Sequence, residues 1–184
     1  MNVRKLLIAL AAAAAFAFWF THRGLDQAKV EAFYASQVDA FAHDDRARLC
    51  AQYAADYKGV ERQVSRTGVQ DVRSDKDQAC KSVDFLFDFK KRFDAKQTDG
   101  GVLATEFEAS PSDIVIARDG KSADVHLRVH VSFGGAFIGD SEGSDHLVLR
   151  GGKLLSAGSE MNSHVSGPLV DGLDPASLMT PSGH

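Results

Sequence analysis

Three segments in the first half of the chain repeat apolar residues at helical spacing. The first covers residues 25–42, and its apolar stripe consists of Val30, Phe33, Tyr34, Val38 and Phe41. The aspartates at 44–45 then form a polar break that can cap a second helix over residues 46–57, which Gly59 ends. A third helix is predicted to begin at residues 74–77 and to carry a broad apolar face, made of Cys80, Val83, Leu86, Phe87, Phe89 and Phe93.

After Gly101 the apolar period changes from that of a helix to that of a strand. We predict strands over residues 103–107, 114–116, 123–133, 145–150 and 153–161, with an interruption at 110–112, a loop over 134–143 and an earlier short strand within 60–68. Helices that precede a run of strands linked by tight turns indicate an α+β domain. In such a domain the helices pack on one face of a meandering, mainly antiparallel sheet.

The N-terminus carries the strongest local signal. Arg4 and Lys5 precede an apolar run from Leu6 to Phe20, which is typical of an export signal. The uncharged stretch 6–22 is at the short end of the roughly 17–25 residues that span a membrane, and its aromatic end suits the membrane interface. We therefore favour an uncleaved single-span anchor in the inner membrane, with the body of the chain in the periplasm. The alternatives are a signal peptide cleaved at the small-x-small pattern of residues 15–17, which leaves a secreted or periplasmic protein, and a buried helix.

The composition fits one globular domain with appended segments. The 184 residues are 44% hydrophobic and 25% charged, with a formal net charge of −4, which suits a single hydrophobic core. Residues 1–24 hold three of the 21 bases and none of the 25 acids, so the rest has 18 bases against 25 acids. This acidic body repels a phosphate backbone, and nucleic acid is not an expected partner. We divide the chain into a signal or anchor (1–24), a folded domain (25–164) and a flexible tail rich in Gly, Pro and Ser (165–184).

Cys50 and Cys80 are the two cysteines of the chain. Two cysteines commonly pair in an oxidising compartment, and both lie on the apolar sides of predicted helices. We therefore expect a disulfide that links the second and third helices, with two separate buried thiols as the alternative. By the chain-entropy model, closing a loop of about thirty residues contributes on the order of 3 to 4 kcal/mol to stability.

Two stretches resemble the nuclear transport factor 2-like superfamily. FYASQVDAFAHDDRARLCAQYAADYKG (residues 33–59) is similar to its long helix, acidic break and short second helix, and DHLVLRGGKLLSAG (145–158) is similar to its last two strands. The resemblance covers roughly residues 25–162. It implies a cone-shaped domain, with a pocket between three helices and the concave side of a curved sheet. Members include steroid isomerases, polyketide cyclases, dehydratases and many domains without chemistry, and some membrane-anchored members act as assembly factors in secretion systems.

The stretch VHLRVHVSF (residues 125–133) holds His126, Arg128 and His130 at alternate positions. Alternation on a strand places these three on the face opposite Val125, Leu127, Val129 and Val131, so we expect them on the convex side of the sheet, away from the helices. His126 and His130 lie about 13 Å apart at about 3.3 Å per residue, too far to share one zinc ion. We predict no metal site here and interpret the three residues as a partner surface.

Pocket candidates come from the helix stripes and the segment after the second helix. The hydroxyls of Tyr34, Tyr53 and Tyr57 can line a pocket, although tyrosines on helix stripes are more often core residues. The isomerases of the superfamily pair a pocket tyrosine with two acidic residues. Glu61 lies where such an acid would be sought, but no residue-by-residue match exists, so the isomerase activity is not carried over. The sequence contains no phosphate loop, dinucleotide fingerprint or nucleophile elbow, and we assign no catalytic residue and expect no cofactor.

These observations favour a non-catalytic envelope domain, tethered or exported, that binds a protein partner or a small ligand. A homodimer through the convex face of the sheet is expected, because related domains often pair there. The alternative is an isomerase, cyclase or dehydratase that acts on a small hydrophobic substrate in the cone pocket. That alternative requires two or more ionisable groups that converge inside the pocket.

Overall fold

A computed structural model describes residues 24–66, 68–96, 105–134 and 137–167. The predicted anchor (6–22), its candidate cleavage site and nearly all of the predicted tail lie outside the described residues. Within the described part, no helix is long and apolar enough to cross a membrane.

Three helices form close to where the apolar period predicts them. Helix α1 (Gln27–Ala42) begins where the side chain of Asp26 accepts a hydrogen bond from the backbone N–H of Lys29. Helix α2 (Arg46–Ala51) is capped in the same way by Asp45. It ends six residues earlier than predicted, because the following residues join the sheet. Helix α3 (Lys76–Lys96) is capped by Asp75, as the sequence predicts.

Six strands form one sheet in the order β2-β1-β6-β5-β4-β3. Their bounds are β1 Tyr53–Ser65, β2 Gly68–Asp75, β3 Thr105–Ile116, β4 Ser122–Phe133, β5 Phe137–Arg150 and β6 Lys153–Ser166. All neighbouring strands are antiparallel except β1 and β6, which are parallel. The sheet is curved and the helices pack against one of its faces. The predicted α+β class is confirmed.

Four strand predictions need correction. The short strand predicted within 60–68 is a complete hairpin of β1 and β2, whereas Pro111 does not interrupt β3. An edge strand such as β3 tolerates proline, because one of its two sides makes no ladder hydrogen bonds. It adjusts instead at Asp113, which has a positive φ of 45° beside a shift in register. Strand β5 starts at Phe137 instead of residue 145, and β6 continues to Ser166, which is beyond the predicted start of the tail.

The core lies between α1 and the inner face of the sheet, the face that the helices cover. Its first cluster consists of Leu25, Val30, Phe33, Tyr34, Ala123, Val125, Leu127 and Leu147. A second, aromatic cluster joins α1 and α3 near the far end of β4 and consists of Ala40, Phe41, Leu49, Phe87 and Phe133. The apolar side of β4 therefore faces the helices, as its alternation predicts. Arg128, next to the buried Leu127, is exposed on the outer face.

The predicted disulfide is present. Cys50 on α2 is bonded to Cys80 on α3, with 5.1 Å between their Cα atoms. The bond fixes the end of α2, from which β1 starts two residues later. It therefore holds the start of β1 against α3.

Candidate functional site

The inner face of the sheet is apolar on β4 but polar on β5, β6 and β1. We call this polar region the inner polar cluster, and it consists of Tyr34, Tyr53, Tyr57, Glu61, Asp145, Ser156, Ser159 and Ser163. Strand register pairs Asp145 on β5 with Ser159 on β6, and Ser159 in turn pairs with Gly59 on β1. Glu61 lies two residues beyond Gly59 on that strand. All four pocket candidates from the sequence lie in this cluster.

Asp145 is the most deeply buried acid of the cluster, with 4% of its surface exposed. One carboxylate oxygen accepts a hydrogen bond from the hydroxyl of Tyr34 at 2.9 Å, and the other accepts one from Ser156 at 2.6 Å. Burial raises the pKa of Asp145 above its usual range, although both hydrogen bonds oppose that rise. Burial and the neighbouring Asp145 also raise the pKa of Tyr34. Tyr34 therefore keeps its proton and acts as the donor in this pair.

Two further tyrosines extend the cluster along β1. The rings of Tyr53 and Tyr57 meet edge to face, with 4.8 Å between their centroids, and the Tyr57 hydroxyl is 2.7 Å from that of Ser159. Burial raises the pKa of both tyrosines, and the charges of Asp145 and Glu61 add to the rise. Gly59 makes this arrangement possible, since a Cβ there would lie 2.6 Å from the Tyr57 hydroxyl oxygen. Both tyrosines were predicted on a helix, but they lie on a strand.

The second carboxyl group of the cluster is Glu61, which is half-buried. It accepts a short hydrogen bond from the hydroxyl of Ser163. Ser163 lies 2.7 Å from the hydroxyl of Ser141 on β5, so a chain of hydroxyls leads away from the carboxyl group. Two carboxyl groups and three tyrosines thus converge on one polar surface, which is the chemistry that acid–base catalysis uses. Of these five groups, Tyr34 and Asp145 are bonded directly to each other, whereas Tyr57 and Glu61 bond to serines of the cluster.

The outer face carries a ladder of ion pairs between β4 and β5, which we call the outer ladder. His126 and Arg128 both bind Glu142, at 2.9 and 3.1 Å, and His130 binds Asp140 at 2.7 Å. A fourth pair joins His146 to Asp124 at 2.7 Å. The hydrogen bond from His130 to Asp140, aided by the charges of nearby acids, raises the pKa of His130. Hydrogen bonds from His126 and Arg128 lower the pKa of Glu142.

A groove of about 720 Å³ crosses the outer face over the ladder. It is lined by Val64, Glu108, Ser110, Arg128, Val129, His130, Asp140, Ser141, Glu142, Asn162, Ser163 and His164. Strand register places most of these residues in two outward-facing rows, with the inward-facing row of Val129, Ser141 and Ser163 between them. The groove therefore has charged walls, and the backbone of the middle row forms its floor. No metal-binding group of three or more His, Cys, Asp or Glu side chains occurs among the described residues.

Sequence comparison gives no relative: no protein-family model matches the chain, and no curated protein matches it. Solved structures do match. A nuclear transport factor 2-like protein of unknown function from Pseudomonas putida KT2440 superposes with a TM-score of 0.50 at 11% identity, over 74% of this chain and 84% of that one. The chain has a nuclear transport factor 2-like fold.

Further structures with this fold are similar at lower scores. A nuclear transport factor 2-like protein of unknown function from Shewanella oneidensis MR-1 has a TM-score of 0.47 at 11% identity, over 72% of this chain and 95% of that one. A protein from Novosphingobium aromaticivorans DSM 12444, provisionally assigned as a scytalone dehydratase, has a TM-score of 0.47 at 12% identity, over 73% and 80%. The match to the Pseudomonas putida protein shows the fold alone.

Sequence reasoning missed the acid at the centre of the inner polar cluster. The sequence pattern predicts Asp145 only as the first residue of a strand, although it alternates with Leu147, which is fully buried. That alternation was a usable signal, because residues two apart on a strand share a face. Ser156, Ser159 and Ser163 gave no such signal, since serine is common at exposed positions.

Proposed function

We propose that this protein is a membrane-tethered, non-catalytic binding domain of the cell envelope that uses the outer face of its sheet. The observation that carries the proposal is the groove over the outer ladder. It combines an open recess with exposed charges of both signs, whereas both carboxyl groups of the inner polar cluster already accept hydrogen bonds from hydroxyls of that cluster. The apolar run Leu6–Phe20 supplies the tether.

We further propose that one occupant of this face is a second copy of the chain. The charges of the outer face alternate in sign from strand to strand. Strand β3 carries the acids Glu106 and Glu108, β4 carries the bases His126, Arg128 and His130, and β5 carries the acids Asp140 and Glu142. When two copies meet face to face about a two-fold axis, the bases of each β4 can lie over the acids of the partner's β5. Such a pattern is self-complementary, as a two-fold interface requires.

A charge-swap series tests this dimer. Arg128→Glu and Glu142→Arg should each weaken self-association, because each places like charges together across the interface and within the ladder. The double swap should restore association. Lys81→Glu is the matched control, since Lys81 is exposed on α3 away from the sheet's outer face. Sedimentation equilibrium of the full chain in detergent gives the oligomeric state. A chain that stays monomeric at every concentration, with or without these changes, refutes the dimer.

The tether has its own test. N-terminal sequencing of protein from the membrane fraction should find Met1 if the anchor is uncleaved. A new N-terminus near residues 15–17, with the protein in the soluble periplasmic fraction, would show a cleaved signal. The binding proposal stands in either case, because it depends on the folded domain alone.

A second candidate is acid–base catalysis on a small hydrophobic molecule, favoured by Asp145 and its hydrogen bond from Tyr34. A buried carboxyl group with a raised pKa is a common feature of catalytic sites. This candidate expects small hydrophobic ketones or phenols to raise the melting temperature of the wild type, and expects Asp145→Asn to reduce that rise. If no such compound raises the melting temperature, or if the variant responds equally, the inner polar cluster is structural.

A further inference from the structure

The N-terminal end of the described domain lies against one turn of the sheet. The backbone N–H of Leu25 donates a hydrogen bond to the carbonyl of Gly120 at 2.7 Å. The two backbones are so close that a Cβ on Gly120 would lie 3.2 Å from the Cα of Gly24. Gly120 belongs to the turn between β3 and β4, so Gly24, the first described residue, lies beside this turn.

The turn between β5 and β6 lies beside it. The backbone N–H of Leu149 donates to the carbonyl of Lys121 at 2.7 Å, and Ser122 pairs with Val148 in the sheet. The two turns therefore form one end of the sheet, at the point where the chain continues toward the apolar run.

This end of the sheet is basic although the protein is acidic. The two turns expose Arg118, Lys121, Arg150 and Lys153, which we call the basic turn surface, and one acid, Asp119. Only Arg150 of the four cations has an ion-pair partner among the described residues, namely Asp56 at 2.6 Å. The excess of positive charge contrasts with the 18 bases and 25 acids of residues 25–184.

We propose that the basic turn surface docks on anionic lipid headgroups of the membrane that holds the tether. The proposal rests on the tether part of the proposed function. A cation held near an anionic leaflet is attracted by an amount that corresponds to roughly fivefold in affinity. The three cations without an ion-pair partner, less the opposing charge of Asp119, leave a net charge of two, which gives roughly 25-fold. Docking sets the strands upright on the membrane, with the groove on the outer face directed sideways and open to a partner.

Lysine labelling tests the docking on the full chain. The protein is reconstituted in nanodiscs of phosphatidylcholine alone or of phosphatidylcholine with anionic phosphatidylglycerol, and acetylation is followed residue by residue with mass spectrometry. We expect Lys121 and Lys153 to be labelled at least roughly threefold more slowly in the anionic nanodiscs. Lys91 is the internal control. It is exposed on α3, whose neighbouring Phe89 and Phe93 pack on Phe133 at the opposite end of the sheet, so its rate should not change.

Two variants and high salt test whether the protection of the lysines is electrostatic. Arg118→Glu should abolish the protection of both lysines, while Arg92→Glu on the exposed side of α3 should leave it intact. High salt should also remove the protection, because the screening length falls to about 3 Å at 1 M.

The labelling experiment distinguishes an incorrect docking proposal from an incorrect tether proposal. Equal labelling rates in both nanodiscs, with the chain still inserted, overturn the docking and leave the tether standing. If the chain does not co-purify with nanodiscs, the tether is wrong, and the same labelling is measured with added phosphatidylglycerol vesicles. Protection of the two lysines then supports the basic turn surface by itself, and its absence overturns it.

Discussion

Replacing Tyr34 with phenylalanine tests whether its contact with Asp145 stabilises the domain. The change removes one oxygen from a side chain that is fully buried and keeps the ring, which packs edge to face on Phe33. Asp145 then keeps only the hydrogen bond from Ser156. A hydrogen bond to a neutral group contributes about 0.5 to 1.5 kcal/mol and one to a charged group about 1.5 to 3 kcal/mol. The loss should therefore depend on whether Asp145 is ionised.

The pH dependence follows from the pKa of Asp145. Burial raises that pKa in the folded state above the unfolded value of about 3.9. The contribution of Asp145 to stability is therefore greatest below the unfolded pKa and falls as pH rises through the folded pKa. The hydrogen bond from Tyr34 limits this fall, because it stabilises the ionised form. In Tyr34→Phe the folded pKa rises further, so the variant loses additional stability as pH passes the wild-type value.

Urea unfolding followed by circular dichroism between about pH 4 and pH 9 measures this difference. We expect a loss of about 1 kcal/mol at the acidic end and about 2 to 3 kcal/mol at the basic end. Tyr53→Phe is the matched control, because the Tyr53 hydroxyl has no hydrogen bond to any described residue. Its loss should be small and independent of pH. A Tyr34→Phe loss that is constant across the range, or smaller at high pH, would refute the reasoning.

Three other predictions follow from the structure. Replacing Cys50 and Cys80 with serine should lower the free energy of unfolding by about 3 to 4 kcal/mol, measured by urea denaturation; an unchanged value would mean that the bond is dispensable. Gly143→Ala should destabilise by about 1 to 3 kcal/mol, because its Cβ would lie 1.9 Å from a carbonyl oxygen of β6, and thermal denaturation checks this. Asp140→Asn should lower the pKa of His130, since the hydrogen bond to Asp140 raises it; an NMR titration that finds the same pKa contradicts the ladder.

The sequence predicted β4 well and missed the first half of β5 for a reason connected with the site. Strand β4 alternates strictly between apolar and polar residues, and its apolar side faces the helices as predicted. The first half of β5 carries Gly139, Ser141 and Gly143 on its inner face, next to the inner polar cluster. Because the inward-facing side chains of this half of β5 are small or polar, it shows no apolar alternation. The sequence pattern therefore predicts a loop there.

The second helix shows how a distant partner overrides a local pattern. Residues 52–57 contain alanines and tyrosines at a spacing that suits a helix, and they were predicted as one. In the structure Tyr53 pairs with Ser156, more than one hundred residues away, and β1 runs parallel to β6. The difference in free energy between helix and strand that arises from residue propensity is small. The hydrogen bonds and burial that a sheet provides stabilise the strand by more.

The sequence by itself determined which apolar side of α1, α3 and β4 is covered. Helical and strand periods record burial, so they predicted α1, α3 and the two faces of β4, and the cysteine pair predicted the disulfide. Only the tertiary structure decided which elements meet. Tyr34 and Asp145 are 111 residues apart in the chain and 2.9 Å apart in space, because the strand order brings β5 under α1. Apolar periodicity carries no information about that order, since it records that a face is covered and not which element covers it.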